Sequence, residues 1–316
     1  MSDSTDTSAA ADESEPPVVE EESPDVEELP DVEESTEAED PTELEEVVVI
    51  ETDDPVVPGV EEEAAPAVRL AGVRKAFGEF QALADITLDV PAGSFYGLVG
   101  PNGAGKTTTL SIIAGLLAAD DGDVVVAGVD AHERPLAAKR ALGVLPDRLR
   151  IFDRLTGRQL LYYYGALRGL PAAEVESRAA DLARAFDLTE SLGRVVSDYS
   201  AGMTKKIMLA GALIHSPRVL VLDEPFEAVD PVSSAAILDI LSAYVEHGGT
   251  VILSSHGMEL VERVCSRVAV IVGGELVAEG AVADVRGEGT LEERYRELVG
   301  AASTREGLEW LHMFSD

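Results

Sequence analysis

The stretch SFYGLVGPNGAGKTTTLSIIAG, Ser94 to Gly115, constrains this chain more than any other. An apolar run enters a glycine-rich turn, and a lysine and three threonines then open a run of helical composition. Within it GPNGAGKTT (Gly100, Pro101, Asn102, Gly103, Ala104, Gly105, Lys106, Thr107, Thr108) satisfies G-x-x-x-x-G-K-[ST] in the strand-to-helix context that the pattern requires. Glycines at 100, 103 and 105 let the backbone fold tightly, so that successive N–H groups point inward at phosphate oxygens. The helix that starts near Lys106 adds its positive end. Lys106 would reach the β- and γ-phosphates of a nucleotide, and the Thr107 hydroxyl would ligate Mg²⁺. The glycines run G-x-x-G-x-G with a lysine directly after, which disfavours a dinucleotide fingerprint.

Around this stretch, strands and helices alternate. From Val68 to Gly100 apolar and polar residues alternate, with turn signals at Phe77–Gly78 and Pro91–Ala92–Gly93, and several short strands are expected. GDVVVAGVD reads as a further strand, and from about 146 to 212 three- and four-residue apolar spacing predicts an inserted helical block. RVLVLDEP and TVILSSH are apolar strands, SAAILDILSAYVEHG and GMELVERVC are helices, and RVAVIVGGELVAEG is a hairpin. The expected fold is therefore α/β: a mostly parallel, RecA-like sheet of the P-loop NTPase kind, with an N-terminal antiparallel β subdomain and an inserted helical subdomain.

VLVLDEP ends its strand in two carboxylates. Asp223 would hold Mg²⁺, and Glu224, one residue further, would orient and deprotonate the attacking water, since phosphoryl transfer demands in-line placement above all. ILSSH ends another strand in His256, and sheets of this type gather their ligands at the carboxyl ends of their strands. His256 would donate to the γ-phosphate as charge builds there. His132, His215, His247 and His312 have no organised neighbours in the sequence and read as ordinary.

Charge is unevenly spread. No Lys or Arg precedes Arg69, whereas 26 of the 60 Asp and Glu do, which leaves 34 acids against 24 bases in the remainder. Residues 1–66 are poor in aromatics and self-repelling, so a disordered acidic tail is expected. It serves either as a solvating tail or as an arm that docks on a basic partner or avoids anionic lipid heads; its EEVVVIE segment has the composition of a strand. The single cysteine, Cys265, rules out an internal disulfide and a multi-cysteine zinc site, and it reads as a small buried apolar residue. No apolar run approaches the ~18 residues of a membrane helix. The acidic start lacks a basic n-region, so the chain is expected to stay on the cytosolic side, with any membrane span provided by another chain.

Taken together, these motifs resemble one family closely, the ATP-binding cassette (ABC) ATPases, from about Val68 to Gly300. The resemblance implies that Phe77 in KAFGEFQAL stacks on adenine. It likens YSAGMTKK, with Ser200, Ala201, Gly202 and Met203, to the family signature, which acts in trans on the ATP held by a second subunit. There Ser200 and the Gly202 N–H would be donors at a helix start. Asp230 in EAVDP matches the loop that crosses the dimer. Two positions depart from the family pattern. Asp147 stands where the family usually has the glutamine that touches Mg²⁺, which a carboxylate can still ligate, and Ala201 replaces the first signature glycine.

YSxGM, LPxxxxxxDRLTG and the closing GTLEERYRELVG look like the ATP-binding subunits of ABC-2-type exporters. This resemblance implies an Mg²⁺-dependent ATPase with ATP as ligand and a membrane permease on a separate chain. A second cassette, identical or paralogous, would pair with it; no nucleic acid is expected. The place of action would be the inner face of the cell membrane. The domains implied are the tail over 1–66, the cassette over 67–300 and a C-terminal helical tail over 301–316. The competing reading is a soluble ABC ATPase of DNA repair, translation or iron–sulfur assembly. A second cassette, a long heptad insert and a cysteine set are all absent, which leaves iron–sulfur assembly as the surviving alternative.

Overall fold

The structure, a computed structural model, describes residues 65–147, 152 and 154–302. The expected acidic tail, with its EEVVVIE segment, and the expected C-terminal tail lie outside those residues, apart from positions 65–66 and 301–302.

Strands β1 (Val68–Phe77) and β2 (Phe80–Val90) form an antiparallel hairpin of two long strands, where several short ones were expected. β3 (Phe95–Val99) then runs into the glycine turn and α1 (Lys106–Ile113). The GDVVVAGVD segment is two strands, β4 (Asp121–Val126) and β5 (Val129–Asp130). Ala127 and Gly128 both have positive φ, at +49° and +76°, which is the geometry that a two-residue hairpin turn requires. A short helix α2 (Pro135–Arg140), with proline in its first turn, leads to β6 (Leu142–Leu145).

Three helices follow before the sheet resumes: α3 (Gly157–Leu167), α4 (Ala172–Ala185) and α5 (Ala201–Leu213). The chain then alternates again through β7 (Val219–Leu222), α6 (Pro231–Glu246), β8 (Thr250–Ser255), α7 (Met258–Val264), β9 (Arg267–Val272) and β10 (Glu275–Ala281). It closes with α8 (Val282–Arg286) and α9 (Leu291–Ala302), two helices that apolar periodicity had not marked.

Among the described residues the strands form one sheet in the order β5-β4-β1-β2-β10-β9-β3-β8-β7-β6. β9, β3, β8, β7 and β6 are parallel, whereas β5, β4, β1 and β2 are antiparallel. The two blocks meet where β10 runs beside β2, paired through Glu275 and Asp85. The architecture is the expected one.

Both faces of the parallel block are buried, and the period-2 geometry of a strand divides its residues between two cores. Phe95 and Val99 of β3, with Leu220 and Leu222 of β7, pack against α3, α4, α5 and α7. Tyr96 and Leu98, with Val219 and Val221, face α1 and the antiparallel block. Cys265 belongs to the first core as a buried thiol whose pKa burial pushes up to about 12.

Candidate active site

The carboxyl ends of β3, β7 and β8 lie side by side, with Val99 opposite Ser255 and Leu222 opposite Leu253. The glycine turn emerges from this edge. A Cβ on Gly100 would fall 2.1 Å from the Ile271 carbonyl oxygen, and one on Gly105, at φ +110°, would fall 2.8 Å from that of Ala82. Only glycine lets the turn lie this close to neighbouring backbone. Lys106 is buried, and its ammonium donates to the turn's own carbonyls, Gly100 O at 2.7 Å and Pro101 O at 3.3 Å. Burial lowers its pKa, and the charges of Glu224 and Asp223 partly offset that shift. The cation and the acid pair therefore share one electrostatic environment.

Asp223 follows β7, is buried, and accepts a hydrogen bond from Ser254 Oγ at 2.5 Å. Ser254 Oγ also accepts from the Glu224 N–H at 2.9 Å. Glu224 has a left-handed backbone, φ +46°, which costs a non-glycine residue about 1–3 kcal/mol unless its surroundings fix it. Here they hold it from both ends. Lys205 Nζ of α5 donates to the Glu224 carbonyl at 2.7 Å. The Glu224 side chain, 15% exposed, meets His256 Nδ1 at 3.0 Å through Oε2, and His256 itself is 62% exposed.

Thr107, Asp147 and Asp223 line one cavity of about 230 Å³ beside α1. Their donor set is a hydroxyl and two carboxylates, all hard oxygens, which fits Mg²⁺. Among the described residues no group of three or more His, Cys, Asp or Glu forms a metal cage.

The other expected residues lie elsewhere. Ser200 caps α5, accepting from the Met203 N–H at 3.2 Å, and both Ser200 and Ala201 are exposed. Asp230 caps α6 and accepts from the Ser233 N–H at 2.9 Å, which holds its carboxyl pKa below the ordinary value. Gly202 joins these two caps: a Cβ there would fall 2.9 Å from Ser233 Oγ and 3.0 Å from Asp230 Oδ2. Phe77 ends β1 half exposed, with the Lys75 ammonium 5.6 Å from its ring centroid.

Sequence reasoning overlooked Ser254 and Lys205. Each carried a signal: a serine inside a fully buried apolar strand and a lysine inside an apolar helix must both find partners. His215, read as ordinary, is instead half-buried, with Nε2 3.0 Å from the Leu142 carbonyl.

The family model described as ABC transporter matches residues 83–227. Over 213 residues the chain is 36% identical to the linearmycin resistance ATP-binding protein of Bacillus subtilis, which covers 67% of this chain and 68% of that protein. It is 34% identical to the Nod factor export ATP-binding protein I of Rhizobium etli, over 69% of each chain. Among solved structures, an ATP-binding subunit of an ABC transporter superposes with a TM-score of 0.69 at 29% identity, covering 73% of this chain and 99% of that one. The dimeric, post-hydrolysis structure of an ATP-binding cassette shares the fold at a TM-score of 0.63 and 23% identity, over 68% and 98% of the two chains.

Proposed function

The chain belongs to the ABC transporter family of ATP-binding proteins, and from that premise we propose that it is the ATP-hydrolysing subunit of an exporter, driving a permease carried on a separate chain. The observation that carries the hydrolytic reading is the Glu224 carboxylate held on His256 at 3.0 Å, at the end of the strand that supplies Asp223. ATP enters over the glycine turn, whose N–H groups and helix dipole receive its phosphates. Lys106 exchanges the Gly100 and Pro101 carbonyls for the β- and γ-phosphates, and Phe77 offers its exposed ring to adenine. Thr107, Asp223 and Asp147 would hold Mg²⁺, which would supply positive charge to the phosphates. Glu224 orients the attacking water and takes its proton. His256 donates to the γ-phosphate as negative charge develops.

Ser200 and the Gly202 N–H complete the site of a second cassette, and Asp230 lies at the same junction. Among the described residues no helix is long and apolar enough to cross a membrane. On the proposed reading the subunit works from the inner membrane face through its permease. The similar proteins are named for drug resistance and export, which favours this reading over a soluble iron–sulfur assembly ATPase. Co-purification from detergent-solubilised membranes tests it. A multi-span partner is expected to travel with the chain; consistent recovery without one would overturn the exporter assignment.

A further inference from the structure

Lys205 is one of three lysines buried among the described residues, with Lys106 and Lys206. It lies on the apolar helix α5 with 7% of its surface exposed, and its ammonium donates 2.7 Å to the main-chain carbonyl of Glu224. Burial lowers its pKa, while the charges of Asp147, Glu227, Glu224 and Asp223 act in the opposite sense. A desolvated ammonium is costly to keep, and one carbonyl repays only part of that cost. The carboxylates that surround it offset a further part.

The carbonyl it grips belongs to a non-glycine residue with a left-handed backbone, Glu224 at φ +46°. The N–H of the same residue is bonded to Ser254 Oγ at 2.9 Å. The peptide groups on both sides of Glu224 Cα are thus fixed from opposite directions, one by β8 and one by α5. Two fixed peptides leave the direction of the Cα–Cβ bond no freedom. That direction sets where the carboxylate stands against His256 Nδ1.

We infer that Lys205 is a positioning residue for ATP hydrolysis: its ammonium locks the strained main chain at Glu224 and so aims the general base. This rests on the reading of Glu224 as that base. Acting through the Glu224 main chain, Lys205 governs the rate of the chemical step and not the affinity for ATP. Misplacing a reacting group by about 1 Å costs on the order of 100-fold in rate. Partial release of one peptide group is expected to cost ~10- to 100-fold in kcat.

The test compares Mg·ATP turnover and ATP binding for the full chain and four variants. Lys205→Met and Lys205→Gln are neutral and leave the Glu224 carbonyl without its ammonium. Lys205→Arg keeps a donor, and Glu224→Gln removes the base. Expected are a kcat loss of ~10- to 100-fold in a neutral variant that binds ATP with wild-type KM and Kd, and recovery of most of the rate in Lys205→Arg. Wild-type kcat in a neutral variant, or loss of ATP affinity in parallel with kcat in both, would overturn the inference. So would a Lys205→Arg chain no faster than Lys205→Met. Glu224→Gln separates the two ideas: turnover retained there removes the general-base reading itself. Turnover lost there but kept in the neutral Lys205 variants removes only the positioning role.

Discussion

His215 lies just beyond the C-terminal end of α5, with Nε2 3.0 Å from the Leu142 carbonyl and Nδ1 buried without a hydrogen-bond partner among the described residues. The geometry makes Nε2–H the donor and leaves a neutral ring. Burial first, and the nearby Arg168 charge second, lower its pKa from 6.5 to about 4. The unfolded chain therefore binds a proton that the folded chain refuses between those two values. The imidazole's contribution to stability is complete above pH 6.5 and is lost as the pH falls toward 4. The urea midpoint is expected to fall over that window, and His215→Gln, which still donates to Leu142 but does not titrate, should show a shallower fall. Equal slopes would show that this imidazole is not held neutral. In sequence the residue stood in LIHSPR, and nothing local marked the enclosure that β6, Arg168 and Arg178 create. The glycine turn between β3 and α1, by contrast, was legible in sequence, because its geometry depends on local spacing. Ser254 and Lys205 escaped because their partners lie 30 and 19 residues away in sequence.

At the scale of elements, α3 shows how a helix is started here. Thr156 accepts from the Gln159 N–H at 3.3 Å, and the Gln159 side chain accepts from the Thr156 N–H at 2.9 Å, a reciprocal capping box. Thr156→Ala is expected to cost about 1 kcal/mol and to lower the melting temperature by ~2–4 °C. ATP turnover at room temperature should remain, because the cap touches none of the site residues. An unchanged melting temperature would mean that packing against α4 and α5 alone fixes the helix start. The helices α3 to α7 were legible from apolar periodicity joined to length. α8 was too short for that signal, and α9 is studded with charge on its outer side. β4 and β5 merged in the sequence reading because the apolar run continues through the turn. The positive φ of Ala127, a residue that gives no turn signal, was invisible there.

Across the molecule, one sheet carries both the chemistry and its context. Its parallel half brings together the strand ends that carry Lys106, Asp223, Glu224 and His256, and Phe77 ends β1 of its antiparallel half. The fold class followed from the alternation of strands and helices, whereas the strand order did not, since it depends on which apolar strands pair at long range. Ser200 lies on the exposed start of α5, and on the proposed reading it serves the site of a second cassette. The whole reading turns on Glu224, and steady-state Mg·ATP hydrolysis by the full chain beside its Glu224→Gln variant measures it most directly. The variant is expected to bind ATP as the wild type does, to turn over at least ~100-fold more slowly, and to accumulate as an ATP-bound dimer. Hydrolysis by Glu224→Gln at a rate near that of the wild type would contradict the mechanism outright.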